Sequence, residues 1–290
     1  MTRRIFMASL AVLAGFAMTS SGSAMAAEPS LPEAPEVAVC GPEEAPTFEA
    51  WAGFAGVADP ERAAQVPGAE AVSHVTRDGR TLRGYRLPSR AADGSTRRTV
   101  LVVGGNAMLA DQILGELAML TEAGLEVYVF DYRGYGQSEG RAMFLPIIGD
   151  ALELAQRLAP EGGGEGQGPL AFYGISLGGI VLPNVLPHLP DGMAPERVVI
   201  DGSRARVAVF GCPSTLDPVD SLPADTSGIM FVGGGLDVVV PLSESREMIE
   251  AIEAGGGTTI VRGDLAHPFQ DRDLALHQER MRLIRDFLAG

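Results

Sequence analysis

The sequence predicts an α/β protein in which helices cover both faces of a mostly parallel sheet that begins with one antiparallel hairpin. Two observations predict this class. Short apolar runs rich in β-branched residues, typical of strands buried on both faces, alternate with segments whose apolar residues recur at helical spacing. In addition, the chain of 290 residues is 46% hydrophobic and 20% charged, which is enough to bury a sizeable core.

The predicted elements follow one another along the chain. Residues on either side of Asp78-Gly79 alternate between apolar and polar, which predicts the hairpin. The predicted strands after the hairpin are 99–103, 125–131, 170–174, 197–201, 228–232 and 258–261. Helical spacing predicts a helix after each of these strands except the fourth, and the helix after the last strand closes the chain. The connection from 202 to 227 is broken by prolines, so we expect a minimal lid.

The first residues of the chain predict export. Arg3 and Arg4 precede an apolar run, and the segment ends in Ala24-Met25-Ala26, a small-x-small cleavage site. We therefore expect a removed signal peptide and a protein exported to the periplasm or secreted, through either a twin-arginine or a general secretory signal. A membrane span needs about 20 apolar residues, and this run is shorter, so we expect no stable membrane insertion. The predicted parts of the chain are a signal peptide (1–26), an N-terminal extension (27–69) and a main domain (70–290).

Charge and composition exclude several classes of function. The formal net charge of −15 repels phosphate backbones, so no nucleic acid is expected as a partner. The 22 basic residues are all arginine, which excludes a P-loop lysine, a Ser-Lys dyad and a Schiff-base lysine. Metal-ligand spacing is absent, so no metal is expected. The two cysteines are Cys40 and Cys212, and the sequence leaves open whether they form a disulfide or remain two free thiols.

Two pentapeptides fit the pattern G-x-S-x-G, which surrounds the nucleophile of many serine hydrolases. Ser176 directly follows a predicted strand and precedes a predicted helix, which is the context of a nucleophile elbow. Ser138 lies in a loop beyond the end of its strand, where glycines serve turns and a serine bonds to nearby backbone. We predict that Ser176 is the nucleophile. The amide of Leu177, at the start of the helix, is then directed at a developing oxyanion.

A serine hydroxyl becomes nucleophilic when a neutral histidine accepts its proton and a carboxylate orients that histidine. Among the four histidines, His267 alone lies just past a late predicted strand, at the end of a parallel sheet where ligands bind. His277, on the apolar stripe of the last helix, is predicted to pack in the core. Asp237 follows the strand at 228–232 and is the predicted acid, while Asp201, at the end of the preceding strand, remains its rival.

Several segments between residues 70 and 288 together carry a family resemblance. They are DGRTLRGYRLP, GGNA, DYRGYGQSEG, Asp150, YGISLGG, GGGLDVVVP and the residues around His267. In this combination the chain resembles the α/β-hydrolase superfamily, especially its lysophospholipase-like and Bem46-like branch of esterases. The resemblance implies the chain order Ser176, Asp237, His267 for a triad, and the amide of Asn106 as an oxyanion donor. Related members carry His-Gly-Asn-Ala where this chain has GGNA, so the loop lacks one hydrogen-bonding side chain.

The sequence therefore predicts an α/β-hydrolase-fold esterase that acts as a monomer on small-molecule acyl substrates, without a metal or organic cofactor. Ser176 attacks the ester, His267 transfers the proton, Asp237 orients His267, and the amides of Asn106 and Leu177 bind the oxyanion. A peptidase or a thioesterase would use the same residues, and the sequence leaves both open. A catalytically silent binding protein on this fold is the remaining alternative, although no expected triad residue is missing.

Overall fold

The computed structural model describes residues 38–160 and 164–290. The predicted signal peptide at 1–26 and the beginning of the predicted extension therefore lie outside the described residues. The rest of the extension forms two helices that the sequence does not predict, α1 (Glu44–Ala55) and α2 (Pro60–Ala64). Both helices lie on the main domain, because Phe48 of α1 and Ala63 of α2 are buried in its two core clusters.

One sheet of eight strands forms the centre of the part of the chain that the structure describes. The strands are β1 (Glu70–Val75), β2 (Thr81–Leu87), β3 (Arg98–Val103), β4 (Leu125–Phe130), β5 (Leu170–Ile175), β6 (Arg197–Asp201), β7 (Ile229–Gly234) and β8 (Thr258–Arg262). Their order across the sheet is β1-β2-β4-β3-β5-β6-β7-β8. β2 pairs antiparallel with β1 and β4, and every other pairing is parallel. The predicted hairpin and mostly parallel sheet are confirmed.

Helices cover both faces of the sheet because its inner strands are apolar on both faces. Side chains alternate in direction along a strand, so Leu101 and Val103 of β3 enter one core cluster while Val100 and Val102 enter the other. The first cluster lies under α4 (Phe144–Leu158), α5 (Gly178–Val185) and α6 (Leu242–Ala254), and the second lies under α3 (Ala110–Thr121) and α7 (Leu274–Ala289). Each helix predicted after a strand is present.

The start of α1 is fixed by a buried carboxylate and a disulfide. Glu44 accepts hydrogen bonds from the amide of Cys40 at 2.8 Å and from the amide of Phe144, the first residue of α4, at 2.7 Å. Cys40 is joined by a disulfide to Cys212, in the connection between β6 and β7. Of the two alternatives that the sequence leaves open for the cysteines, the structure contains the disulfide.

The remainder of α1 runs along the carboxyl end of the sheet. The ring of Trp51 lies 5.8 Å from that of Phe210, centroid to centroid, in the connection between β6 and β7. At the other end, the carbonyl of Ala55 accepts a hydrogen bond of 2.7 Å from the side chain of Gln112 in α3. Helix α1 therefore links the loop after β6 to the helix after β3, and β5 lies between those two strands.

The connection between β6 and β7, residues 202–227, contains short 3₁₀ helices at Ala208–Phe210, Ser214–Leu216 and Pro218–Ser221 and no α-helix. This agrees with the minimal lid expected from its prolines. None of the helices in the described ranges is both long enough and apolar enough to cross a membrane.

Candidate active site

Ser176 occupies a tight turn between the end of β5 and the start of α5. Its φ of 51° is in the left-handed region, which non-glycine residues seldom adopt. The turn is held by the amide of Ser176, which donates to the carbonyl of Asp201 at 2.8 Å. A methyl group at Gly178 would overlap the carbonyl of Val103, and one at Gly174 would lie 2.6 Å from the carbonyl of Gly178. The glycines of the pentapeptide are thus required by close backbone packing, as a nucleophile elbow requires.

The GGNA loop after β3 lies beside this elbow. The carbonyl of Gly104 accepts hydrogen bonds from the amide of Gly178 at 3.1 Å and from the hydroxyl of Tyr132 at 2.6 Å. A methyl group at Gly105 would lie 3.5 Å from Cβ of Ser176. Tyr132 and Gly178 therefore attach this loop to its neighbours. The predicted oxyanion donor Asn106 follows Gly105, and the predicted donor Leu177 is the N-cap residue of α5.

Asp237 and His267 form a buried hydrogen-bonded pair. Nδ1 of His267 lies 2.8 Å from Oδ2 of Asp237. The other oxygen of the carboxylate accepts the amides of Val239 at 2.9 Å and Val240 at 2.7 Å, so its orientation is fixed by the backbone. With the Nδ1 proton donated to Asp237, the second ring nitrogen, Nε2, carries a lone pair and can accept a proton.

The carboxyl end of β6 lies against both the elbow and the Asp237–His267 pair. The carbonyl of Asp201 holds the amide of Ser176 at 2.8 Å. The next residue, Gly202, has no room for a side chain, because a methyl group there would overlap Pro268 and lie 3.5 Å from Oδ2 of Asp237. Pro268 directly follows His267. The three residues predicted as a triad are therefore positioned at one edge of the sheet, by neighbouring strand ends.

The competing residues of the sequence analysis lie in other surroundings. Ser138 donates to the carbonyl of Asp131 at 2.9 Å and accepts the amide of Arg83 at 2.9 Å, as expected of a loop serine. His277 is buried and its ring lies 5.2 Å from that of Phe269, which agrees with a packed core histidine. The rival acid Asp201 accepts the hydroxyl of Tyr173 at 3.1 Å, and burial raises the pKa of its carboxyl.

A buried charged cluster next to His267 is missed by the sequence analysis. It consists of Asp201, Asp271 and Arg280, whose side chains are at most 1% exposed. Arg280 lies three residues after His277, on the face of α7 that also buries Met281 and Ile284. An arginine among apolar residues at helical spacing is the signal that indicates such a cluster.

Comparison with known proteins places the chain in a family. Residues 94–200 match a family model described as serine aminopeptidase, S33. The protein YfhR of Salmonella typhi is 33% identical over 242 residues, which cover 73% of this chain and 80% of YfhR. The chain belongs to the α/β-hydrolase superfamily.

Two solved structures share the fold. The esterase Pf2001 of Pyrococcus furiosus is 18% identical with a TM-score of 0.60, and the alignment covers 81% of this chain and 97% of that one. Esterase 2 of Thermogutta terrifontis, with butyrate bound, is 18% identical with a TM-score of 0.61, covering 77% of this chain and 94% of that one. These likenesses confirm the predicted α/β-hydrolase fold.

Proposed function

We propose that the protein is a serine hydrolase that cleaves carboxylic esters through an acyl-enzyme. The hydroxyl of Ser176 attacks the ester carbonyl while Nε2 of His267 takes its proton, and the amides of Asn106 and Leu177 hold the oxyanion. His267 then gives this proton to the departing alcohol, which leaves the acyl group on Ser176. In the second half of the reaction, His267 takes a proton from water while the oxygen of that water attacks the acyl carbonyl. His267 then returns the proton to the hydroxyl oxygen of Ser176 as the acyl–serine bond breaks, which releases the carboxylic acid and regenerates the enzyme.

The observation that carries this proposal is the hydrogen bond of 2.8 Å between Asp237 and His267. Their side chains are only 1% and 7% exposed, so little solvent screens the carboxylate from the imidazolium that forms when the proton is taken. The carboxylate is also held in place by two backbone amides, so it needs no reorganisation during the reaction. A histidine that only filled the core would not require such a partner.

Among the substrate classes that this triad could cleave, we favour esters. The two solved structures that share the fold are esterases, and the structure of the Thermogutta enzyme is known both with butyrate bound and phosphorylated by paraoxon. The description of the matching family model favours a second candidate, an aminopeptidase that uses the same three residues. The two candidates differ in the leaving group, which is an alcohol in one and an amine in the other.

The surroundings of Asp237 support short or flexible acyl groups. Leu236 and Val238, on either side of it, are 46% and 86% exposed. The connection between β6 and β7 contributes only short 3₁₀ helices over residues 202–227. An open site with a small apolar rim suits a short acyl chain better than a long one, which needs a covered apolar channel.

We also propose that the protein is exported and monomeric. The disulfide between Cys40 and Cys212 supports export, because such bonds persist in oxidising compartments. N-terminal sequencing of the protein from the periplasm or medium should find a chain that begins at Ala27. Retention of the uncut chain in the cytosol would contradict export, and a dimer mass by light scattering would contradict the monomer.

A substrate panel tests the proposed reaction. We expect p-nitrophenyl butyrate to be turned over with a kcat/KM at least about tenfold above those of a butyryl thioester and of amino-acid p-nitroanilides. The control variant Ser176→Ala should lose about 10⁴ to 10⁶ in kcat. Faster cleavage of the anilides would favour the aminopeptidase, and faster cleavage of the thioester would favour a thioesterase. Failure of folded protein to cleave any of them would favour a binding protein.

A further inference from the structure

We propose that Arg280 and Asp271 are positioning residues for His267. They hold the two backbone polar groups of Ala266, the residue that directly precedes His267, and thereby set where its imidazole lies relative to Ser176. The inference rests on the proposed function, because it concerns the geometry of the same triad. Neither residue contacts the reacting atoms, so both act through His267.

Ala266, the residue before His267, is held on both its backbone polar groups. Its amide donates to Oδ1 of Asp271 at 2.8 Å, and its carbonyl accepts from Nη2 of Arg280 at 2.8 Å. The two side chains also form an ion pair, with Nη1 of Arg280 at 3.1 Å from Oδ2 of Asp271. Because the carbonyl of Ala266 belongs to the peptide bond with His267, a shift of the guanidinium shifts the histidine.

The same arginine also faces the strand end that anchors the nucleophile. Nε of Arg280 lies 3.8 Å from Oδ1 of Asp201, whose other oxygen accepts the hydroxyl of Tyr173. The backbone carbonyl of Asp201 accepts the amide of Ser176. One side chain from α7 therefore lies between the end of β6, whose backbone holds the amide of Ser176, and the loop that carries His267.

Burial makes a purely stabilising role a poor explanation for this cluster. The side chains of Arg280 and Asp271 are 1% and 0% exposed, so both charges are removed from water at considerable cost. An apolar residue at position 280 would continue the buried stripe of α7, and apolar replacements of buried ion pairs are often neutral or stabilising. The directed hydrogen bonds to Ala266 are what the charged residues provide and an apolar side chain cannot.

The expected consequence is a loss in the chemical step with binding retained. A misplacement of about 1 Å between reacting groups costs about 10²-fold in rate. We therefore expect Arg280→Met to lower kcat by about 10²-fold and to change KM by less than about threefold. Arg280→Lys keeps a cation and one donor within reach, so its kcat should be at least about tenfold higher than that of Arg280→Met. Asp271→Asn keeps an oxygen for the amide of Ala266, so it should lose less than Asp271→Ala.

Arg98→Met is the matched control. Arg98 is also a buried arginine that donates to a backbone carbonyl, that of Leu288 in α7 at 3.0 Å, and pairs with Glu196 at 2.9 Å. It lies at the amino end of β3, the opposite end of the sheet from Ser176. Its loss should lower the melting temperature while kcat stays within about threefold of wild type.

The decisive comparison is kcat on p-nitrophenyl butyrate, with melting temperatures measured alongside. Equal kcat in Arg280→Met and Arg98→Met would overturn the proposal. If Arg280→Met does not fold, the test passes to folded Arg280→Lys and Asp271→Ala. Wild-type kcat in both of these variants would overturn the proposal, whereas a lower kcat in Asp271→Ala than in Asp271→Asn would support it.

A second readout separates this proposal from the proposed function. The proton on Nδ1 of His267, hydrogen-bonded to Asp237, should give a downfield NMR resonance in wild type and Arg98→Met that is lost or shifted in Arg280→Met. If the wild-type protein cleaves no ester, the proposed function fails, yet this resonance still tests the positioning role. An unchanged resonance in Arg280→Met would overturn it.

Discussion

Replacing Asp237 by asparagine tests how this carboxylate sets the state of His267. One carboxylate oxygen accepts the amides of Val239 and Val240 at 2.9 and 2.7 Å, and the other faces Nδ1 of His267 at 2.8 Å. An asparagine here must keep its oxygen toward the two amides, because an NH₂ group cannot accept from them. Its NH₂ group then donates to Nδ1, and the ring proton moves to Nε2.

A histidine with its proton on Nε2 cannot accept one from Ser176. We expect kcat to fall by about 10⁴-fold, equivalent to about 5 kcal/mol in the activation barrier, with little change in KM. Asp201→Asn is the matched control, since it alters a fully buried carboxylate at the neighbouring strand end. An amide oxygen can still accept the hydroxyl of Tyr173, so this variant should keep kcat within about tenfold of wild type.

The assay is steady-state hydrolysis of p-nitrophenyl butyrate, with circular dichroism to verify that both variants are folded. A kcat within about tenfold of wild type in folded Asp237→Asn would show that this carboxylate does not set the proton position on His267. A larger loss in Asp201→Asn than in Asp237→Asn would move the acid to Asp201.

Three further predictions concern the oxyanion loop, the disulfide and a buried carboxyl. Asn106→Ala should keep most activity, whereas Asn106→Pro, without the amide hydrogen, should lose about 10² to 10³ in kcat; equal losses would assign the role to the side chain. Replacing Cys40 and Cys212 by serine should lower the free energy of unfolding by about 3 to 5 kcal/mol, since the bond spans 172 residues, and an unchanged urea midpoint would contradict this. Burial raises the pKa of the Asp131 carboxyl from 3.8 to about 6, so the folded protein binds the carboxyl proton more tightly than the unfolded chain does. The protonated carboxyl therefore stabilises the fold at low pH, and this contribution is lost as the pH rises from about 4 to 7. Asp131→Asn cannot titrate, so urea titrations should show the wild type losing about 3 kcal/mol of unfolding free energy relative to this variant over that pH range. A difference that stays constant with pH would contradict the role of burial.

The sheet could be predicted because its inner strands are buried along their whole length. Strands β3 and β5 are apolar on both faces and end in glycines or polar residues, which is a continuous local pattern. Helix α1 is harder to predict, although Phe48, Ala52 and Ala55 recur at helical spacing. Pro46 and the neighbouring acidic residues indicate an irregular segment, and the helix is stabilised by distant aromatic contacts and a disulfide that no local pattern contains.

The sequence predicts those residues of the candidate site that come shortly after a strand. Ser176, Asp237 and His267 each come just after a predicted strand, and parallel strands bring such positions to one edge. The contacts of Arg280 with Ala266 depend instead on how α7 returns across the sheet, which is a tertiary property. The sequence indicates only that a charged residue lies on a buried helix face.

Ser176 is the activated nucleophile of the proposed reaction, and covalent labelling tests this claim. A fluorophosphonate traps a serine that is activated beside an oxyanion hole, and trypsin then separates the two candidates. Ser176 lies in the peptide 158–197 and Ser138 in the peptide 134–141. We expect the added mass on the long peptide alone, and we expect Ser176→Ala to abolish labelling while Ser138→Ala retains it. Label on the short peptide, or on neither peptide of folded protein, would contradict the claim.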